Sequence, residues 1–230
     1  VRLPGIQAVE NLEDLSRAKK INYVLNLAGE PLATGRWNAS RKQQFLESRV
    51  GITKKLFEYF KGVDKPPDVL ISGSAVGYYG PHCDKVLDEA AKYHESYSHH
   101  LCSEWEHSAS QFSQLGVRVC YLRTGIVLGP EEGALGRMLM PFKMGLGGRI
   151  GHGKQWMPWI HIADEIALIF HCFKRSDLSG AINASSPNPV MNRQFSQVLG
   201  KVLARPVFFP MPSAIVRLLF GEMADELLLT

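Results

Sequence analysis

The sequence is short of several things, and each shortage removes a class of function. It has four cysteines (Cys83, Cys102, Cys120, Cys172), far apart and with no C-x-x-C pair. They read as free thiols of a reducing, cytoplasmic compartment, not as a disulfide framework or a zinc cage. The eight histidines form no H-E-x-x-H, and the adjacent His99 and His100 would point about 100° apart on a helix. No metal site is expected. No apolar run is long enough to span a bilayer and no signal peptide is visible, so no membrane partner is expected. Charge of one sign is nowhere concentrated. The net charge is +4 over 230 residues, and the one basic block, Arg17–Lys20, reads as a helix end. Nucleic acid is therefore not an expected partner, and a small-molecule substrate is.

What is present is ordinary globular material, 45% apolar and 21% charged. Apolar strands alternate with helical patterns. Strands are expected at 21–29, 69–74 and 117–129, in "WIHI" and in "AINAS". Helices are expected at 13–19, 37–61 (capped by Asn38 or Ser40), 96–115, through "GALGRMLMPFKMG", at 164–173, and from near Asn192 and Pro212. Strands apolar on both faces imply a parallel sheet covered on both sides. In such sheets ligands bind at the carboxyl ends of strands. Three of those ends carry small or polar residues: 26–30, 72–79 and 123–127. They read either as a pocket floor or as tight turns. The chain starts at Val1 and stops at Thr230 inside the apolar run "ADELLLT", so both ends are expected to be cut.

Four longer motifs carry a resemblance. "VLNLAGE" (24–30), "SGSAVGYYG" (72–80), "LRTGIVLGP" (122–130) and "PWIHIADEI" (158–166) stand in the order and spacing of the extended short-chain dehydrogenase/reductase superfamily. The stretch 136–162, "GRMLMPFKMGLGGRIGHGKQWMPWIHI", resembles its atypical epimerase-family group, proteins described as nucleoside-diphosphate-sugar epimerases. The resemblance implies an α/β, Rossmann-like, doubly wound parallel sheet that binds NADP. It implies an NADP-binding domain over 1–130 and a small substrate-binding part over 131–230, with 158–186 returning to the first. The glycine-rich phosphate loop is not found; Gly145 and Gly147 lack a third glycine and follow a helix. The first strand–helix–strand unit, roughly 30 residues, is thus expected to be missing from the start. By the same resemblance, Arg2 would hold the 2′-phosphate of NADP, Leu27, Ala28 and Gly29 would line the cofactor, Gln44 and Arg49 would face it, and Val127 would pass beneath the nicotinamide. For Arg2 and Arg49 the alternative is a solvated surface arginine.

The superfamily's proton device is a Tyr-x-x-x-Lys pair with a nearby serine. Ser74 stands in its motif. On the helix, however, the tyrosine position falls on Ser98 and the lysine position on Cys102, and no lysine occurs between Lys92 and Lys143. Without that charge a tyrosine keeps a pKa of about 10 and is about 0.1% phenolate at pH 7. Oxidation of an alcohol needs that base. Reduction of a carbonyl needs only a donor, which a neutral phenol supplies. The expected donors are Tyr78, Tyr79 and Tyr97, the alternative for Tyr78 and Tyr79 being packing in the turn before Gly80 and Pro81, with His99 and His100 as further acids. Trp159 and His161 are expected to close over substrate; the alternative for His161 is a backbone-bonded structural histidine. Asp164 is expected to cap the helix it starts. The expected function is an NADP-dependent oxidoreductase acting on a small carbonyl or sugar-like substrate. The alternatives are a non-catalytic NADP-binding regulatory or scaffold protein and a nucleotide-sugar epimerase.

Overall fold

In a computed structural model, which describes residues 7–15, 20–130 and 133–230, four parallel strands form the central sheet in the order β1-β2-β3-β7. They are β1 (Tyr23–Asn26), β2 (Val69–Ala75), β3 (Arg118–Thr124) and β7 (Gly180–Ala184). Between β1 and β2 run α1 (Ala39–Leu46), a π-helical turn (Glu47–Gly51) and α2 (Ile52–Lys61); α3 (Tyr97–Ser110) connects β2 to β3. Beyond β3 come β4 (Ile126–Leu128), α4 (Gly133–Lys143), β5 (Trp156–Met157), β6 (Trp159–His161) and α5 (Ile162–Lys174), which leads into β7. The chain continues with β8 (Val190–Met191), α6 (Asn192–Val202), α7 (Ser213–Phe220) and a second π-helical turn (Ala224–Leu228).

Alternation along the strands builds a core on each face. Val69, Ile71, Cys120 and Leu122 pack against Ile169 and Cys172 of α5. Leu70, Val117 and Val119 pack on the other face against Tyr59, Phe60 and Phe112. The expected layers of helix, parallel sheet and helix are therefore present, and 158–186 supplies α5 and β7 to them. Among the described residues nothing pairs with the outer edge of β1, and its Tyr23 and Leu25, with Leu27 just beyond it, are exposed apolar side chains.

Several expected elements differ in detail. The strand expected over 117–129 is two. At Gly125 the chain leaves β7 and joins β6, with Ile126 N–H donating to the Pro158 carbonyl. A Cβ at 125 would lie 2.7 Å from that oxygen. The helix expected over 37–61 is broken by the π-helical turn, and Asn38 caps it by accepting from Arg41 N–H at 2.9 Å. The helix expected over 13–19 is a single 3-10 turn, Leu12–Asp14, and 16–19 lie outside the described residues. His161, not Asp164, caps α5, its Nδ1 accepting from Ala163 N–H at 3.2 Å. No helix among the described residues is long and apolar enough to cross a membrane.

Candidate active site at the carboxyl ends of the sheet

The turn after β1 is clamped to the π-helical turn. Asn26 donates to Thr53 Oγ1 (2.9 Å) and accepts from Ala28 N–H (3.3 Å), which fixes the backbone as it leaves the strand. Thr53 in turn donates to the Arg49 carbonyl (2.6 Å). Glu30 N–H donates to Ser48 Oγ, and Arg49 Nη2 donates to the Glu30 carbonyl at 3.1 Å. The guanidinium of Arg49 thereby covers Gly29. A Cβ there would meet its central carbon at 2.9 Å. Trp105 of α3 lies beneath the same group, 5.2 Å from ring centroid to guanidinium. Burial pulls the Arg49 guanidinium below its ordinary value, and the Cys102, Tyr97 and Glu30 side chains oppose that pull. Arg49 thus brings a positive charge to the neighbourhood of Cys102, where the superfamily places its lysine.

Ser74 ends in a buried polar chain. Its Oγ donates to Glu106 Oε1 at 2.6 Å. Arg123 Nε and Nη2 grip the two oxygens of Glu106 at 2.9 and 3.0 Å. Arg123 Nη1 donates to Tyr79 Oη (3.1 Å), which donates to Asn183 Oδ1 (2.6 Å). Burial works against the Arg123 charge, but its bonds to Glu106 and Tyr79 outweigh it and hold the guanidinium above its ordinary value. The ring of Tyr78 rests on that guanidinium, 3.4 Å from its centroid.

The three expected tyrosine donors separate. Tyr79 is 2% exposed and its hydroxyl is committed to Asn183, so it is a structural link. Tyr97 points away, packing on Trp37 and donating to the Lys42 carbonyl at 3.2 Å; burial raises its pKa. Tyr78 alone keeps a hydroxyl without a hydrogen bond among the described residues, beside the chain that starts at Ser74. The buried His99 is held by the Tyr78 carbonyl and stacked on Tyr93, while His100 is exposed. Burial pushes the Cys102 thiol up to about 11, with Glu106 adding to it, so it is inert near neutrality.

The tyrosine and lysine positions are sealed. Ser98 Oγ donates to Glu226 Oε2 at 2.8 Å, and Glu226 also accepts from the N–H groups of Tyr97 and Ser98. Gly77 approaches so closely that a Cβ on it would lie 3.1 Å from Ser98 Cβ. Small side chains are what let α3 pack this tightly.

The structure groups the other expected residues as follows. Leu27 is exposed, and Ala28 and Gly29 follow it under Arg49. Gln44 is exposed and engaged by Arg41 (3.0 Å) rather than sharing an inward edge with Arg49. The π-helical turn rotates Arg49 inward. Val127 pairs with Ile160 where β4 meets β6 and packs into the core on that face, whereas Trp159 and His161 pair with Ile126 and Leu128 and face the other side; Trp159 donates to the Asn188 carbonyl and His161 is an exposed cap. Arg2 lies outside the described residues. Glu106 and Arg123 carry the network, yet sequence reasoning gave them no role. The available signal was an arginine inside an apolar strand, which requires a buried partner.

Two clefts lie elsewhere. One of about 440 Å³ between α2 and α3 is lined by Lys54, Glu104 and His107 among others, and one of about 300 Å³ by Arg149, Arg193 and Phe208 among others. Neither is lined by Gly29, Ser74 or Glu106.

The sequence profile of the NAD dependent epimerase/dehydratase family matches residues 5–184. The chain belongs to that family. It is 37% identical over 227 residues to the Arabidopsis thaliana "Epimerase family protein SDR39U1 homolog, chloroplastic", covering 98% of this chain and 65% of that protein. It is 36% identical to Bacillus subtilis "Epimerase family protein YfhF", covering 89% of this chain and 67% of that one. The chain thus spans about two thirds of the length of these relatives. The crystal structure of human epimerase family protein SDR39U1 with NADPH superposes with a TM-score of 0.85 at 33% identity, covering 92% of this chain and 72% of that one.

Proposed function

We propose that this family member is an NADP(H)-dependent oxidoreductase that reduces a small carbonyl or sugar-like substrate. The observation that carries the reading is the meeting of Ser74, Tyr78 and the buried Glu106–Arg123 pair at the carboxyl end of β2 and β3. The human relative solved with NADPH supports the choice of cofactor.

The residues present fit a dinucleotide. Gly29, in the turn after β1, has no side chain to keep Arg49 away, and the guanidinium lies against it with donors to spare, a shape suited to phosphate or ribose oxygens. Leu27, Ala28 and Val127 are the proposed apolar contacts of the cofactor. When bound, the nicotinamide supplies the hydride. The chain supplies the rest: Tyr78 gives a proton to the carbonyl oxygen, Arg123 beneath its ring favours the phenolate that forms, and Ser74, whose own proton goes to Glu106, presents an acceptor to a substrate hydroxyl. Trp159 and His161 are the proposed substrate contacts.

A second reading, a non-catalytic NADP binder, is favoured by the sealed Ser98 and Cys102 positions. The test is deuteride transfer from 4-deuterated NADPH into a panel of aldehydes, ketones and keto-sugars, read by mass spectrometry. Label in a product supports the oxidoreductase. NADPH binding without label in any product supports the binder.

A further inference from the structure

We infer that Ser74 and Glu106 form a proton relay, and that this relay is the base of the site in place of a tyrosine–lysine pair. The inference rests on the oxidoreductase reading and deepens it.

Three observations carry it. First, the hydroxyl proton of Ser74 is committed. Ser74 Oγ donates it to Glu106 Oε1, with 2.6 Å between the two oxygens, in a short bond between groups 6% and 8% exposed. Ser74 therefore meets a ligand with lone pairs, not with its proton. It suits a hydroxyl group and cannot donate to a carbonyl while that bond holds. Second, Arg123 binds both oxygens of Glu106 through a two-pronged contact. That contact fixes the carboxyl group in the plane of the guanidinium and holds Oε1 against Ser74 Oγ. Third, among the described residues Ser74 Oγ has no side-chain hydrogen bond but the one to Glu106. The Cys102 thiol is driven away from ionisation by burial, and Tyr97 and Tyr79 are occupied by other partners.

The proton balance is simple. The O–H of a ligand alcohol breaks as an O–H forms on Ser74 Oγ; the original Ser74 O–H breaks as one forms on Glu106 Oε1. The carbon-bound hydrogen leaves as hydride to the oxidised nicotinamide. In the reverse direction Glu106 returns the proton through Ser74, and Tyr78 is a second donor. Glu106 acts through Ser74 and is a positioning and relay residue. An acid and a base in one site allow oxidation and reduction alike without the lysine.

The experiment measures initial rates of alcohol oxidation with NADP and of ketone reduction with NADPH from pH 6 to pH 10, with cyclohexanol and cyclohexanone among the probes. The relay predicts oxidation that is nearly flat from pH 6 to 9. A phenol acting alone predicts a rise of roughly tenfold per pH unit toward its pKa. Ser74→Ala, which leaves the Glu106–Arg123 pair intact, should lower oxidation roughly 10²- to 10⁴-fold and restore the rising profile. Ser74→Thr should rescue both. Glu106→Asp should keep the flat profile at a reduced rate. A second readout needs no turnover: saturation-transfer NMR on the cofactor-free protein should show cyclohexanol retained over cyclohexanone, and the preference should vanish in Ser74→Ala. A rising wild-type profile, an unchanged profile in Ser74→Ala, or equal retention of the two probes overturns the relay while leaving the oxidoreductase reading intact. Absence of hydride transfer in both directions overturns that reading and the relay with it.

Discussion

Arg49 lies flat over Gly29, so close that a methyl group on Gly29 would fall 2.9 Å from the guanidinium carbon. The pair joins the end of β1 to the π-helical turn, and on the proposed function it is where the dinucleotide rests. Arg49→Ala should weaken NADPH binding by the worth of one charge-assisted hydrogen bond, roughly 1.5–3 kcal/mol or about 10- to 150-fold. Gly29→Ala should weaken it in the same direction by displacing the guanidinium. Fluorescence titration at one salt concentration measures both, and unchanged dissociation constants would remove Arg49 from the site.

The Glu106–Arg123 pair is buried, so breaking it from one side strands a charge. Arg123→Met should destabilise the fold by roughly 3–5 kcal/mol. Arg123→Met combined with Glu106→Leu should lose much less than the sum of the single changes, because no uncompensated charge remains. Urea denaturation of the four proteins gives the comparison; additive losses would mean the two groups are not coupled.

The two neighbouring tyrosines should behave oppositely. Tyr79→Phe removes the bond to Asn183 and the acceptor of Arg123, and should lower stability by roughly 1–3 kcal/mol. Tyr78→Phe removes a hydroxyl with no hydrogen-bond partner among the described residues and should change stability by under about 0.5 kcal/mol, while abolishing most of the reduction. Thermal midpoints beside reduction rates separate the roles.

Glu165 sets a pH dependence of stability. Burial raises its pKa, its bond from Thr124 opposes this, and its Oε2 has no hydrogen-bond partner among the described residues. The folded state therefore holds the proton more tightly than the unfolded chain, whose carboxyl titrates near about 4.3. Stability is greatest below that value and falls as pH rises until the folded-state value is passed. Glu165→Gln does not titrate. Its advantage over wild type should be least at pH 4 and larger at pH 8, by differential scanning calorimetry; an advantage that shrinks as pH rises would show that the carboxyl is not desolvated.

Much of this molecule could be read in the sequence because its signals are local. Apolar strands between helical patterns, Asn38 before α1 and Ser96 before α3 mark the layers and their ends, and "SGSAVGYYG" marks the strand end that carries Ser74. What could not be read depends on contacts far apart in the chain. Tyr79 looks equivalent to Tyr78 until Asn183, 104 positions away, takes its hydroxyl. Ser98 and Cys102 look like lost catalytic positions, and only the packing of Gly77 and the reach of Glu226 show that they are filled. Restoring tyrosine and lysine there would collide with Gly77 and displace Glu226 rather than rebuild a site. The inward turn of Arg49 comes from one π-helical turn, which no apolar periodicity announces.

The most direct test of the central claim is deuteride transfer from 4-deuterated NADPH to the carbonyl panel, wild type beside Tyr78→Phe. The account predicts label on the carbinol carbon of at least one product with wild type, and a loss of roughly 10²- to 10⁴-fold with Tyr78→Phe. Label transferred equally well by both proteins would contradict the assignment of Tyr78 as donor. No label with wild type, despite NADPH binding, would contradict the oxidoreductase itself.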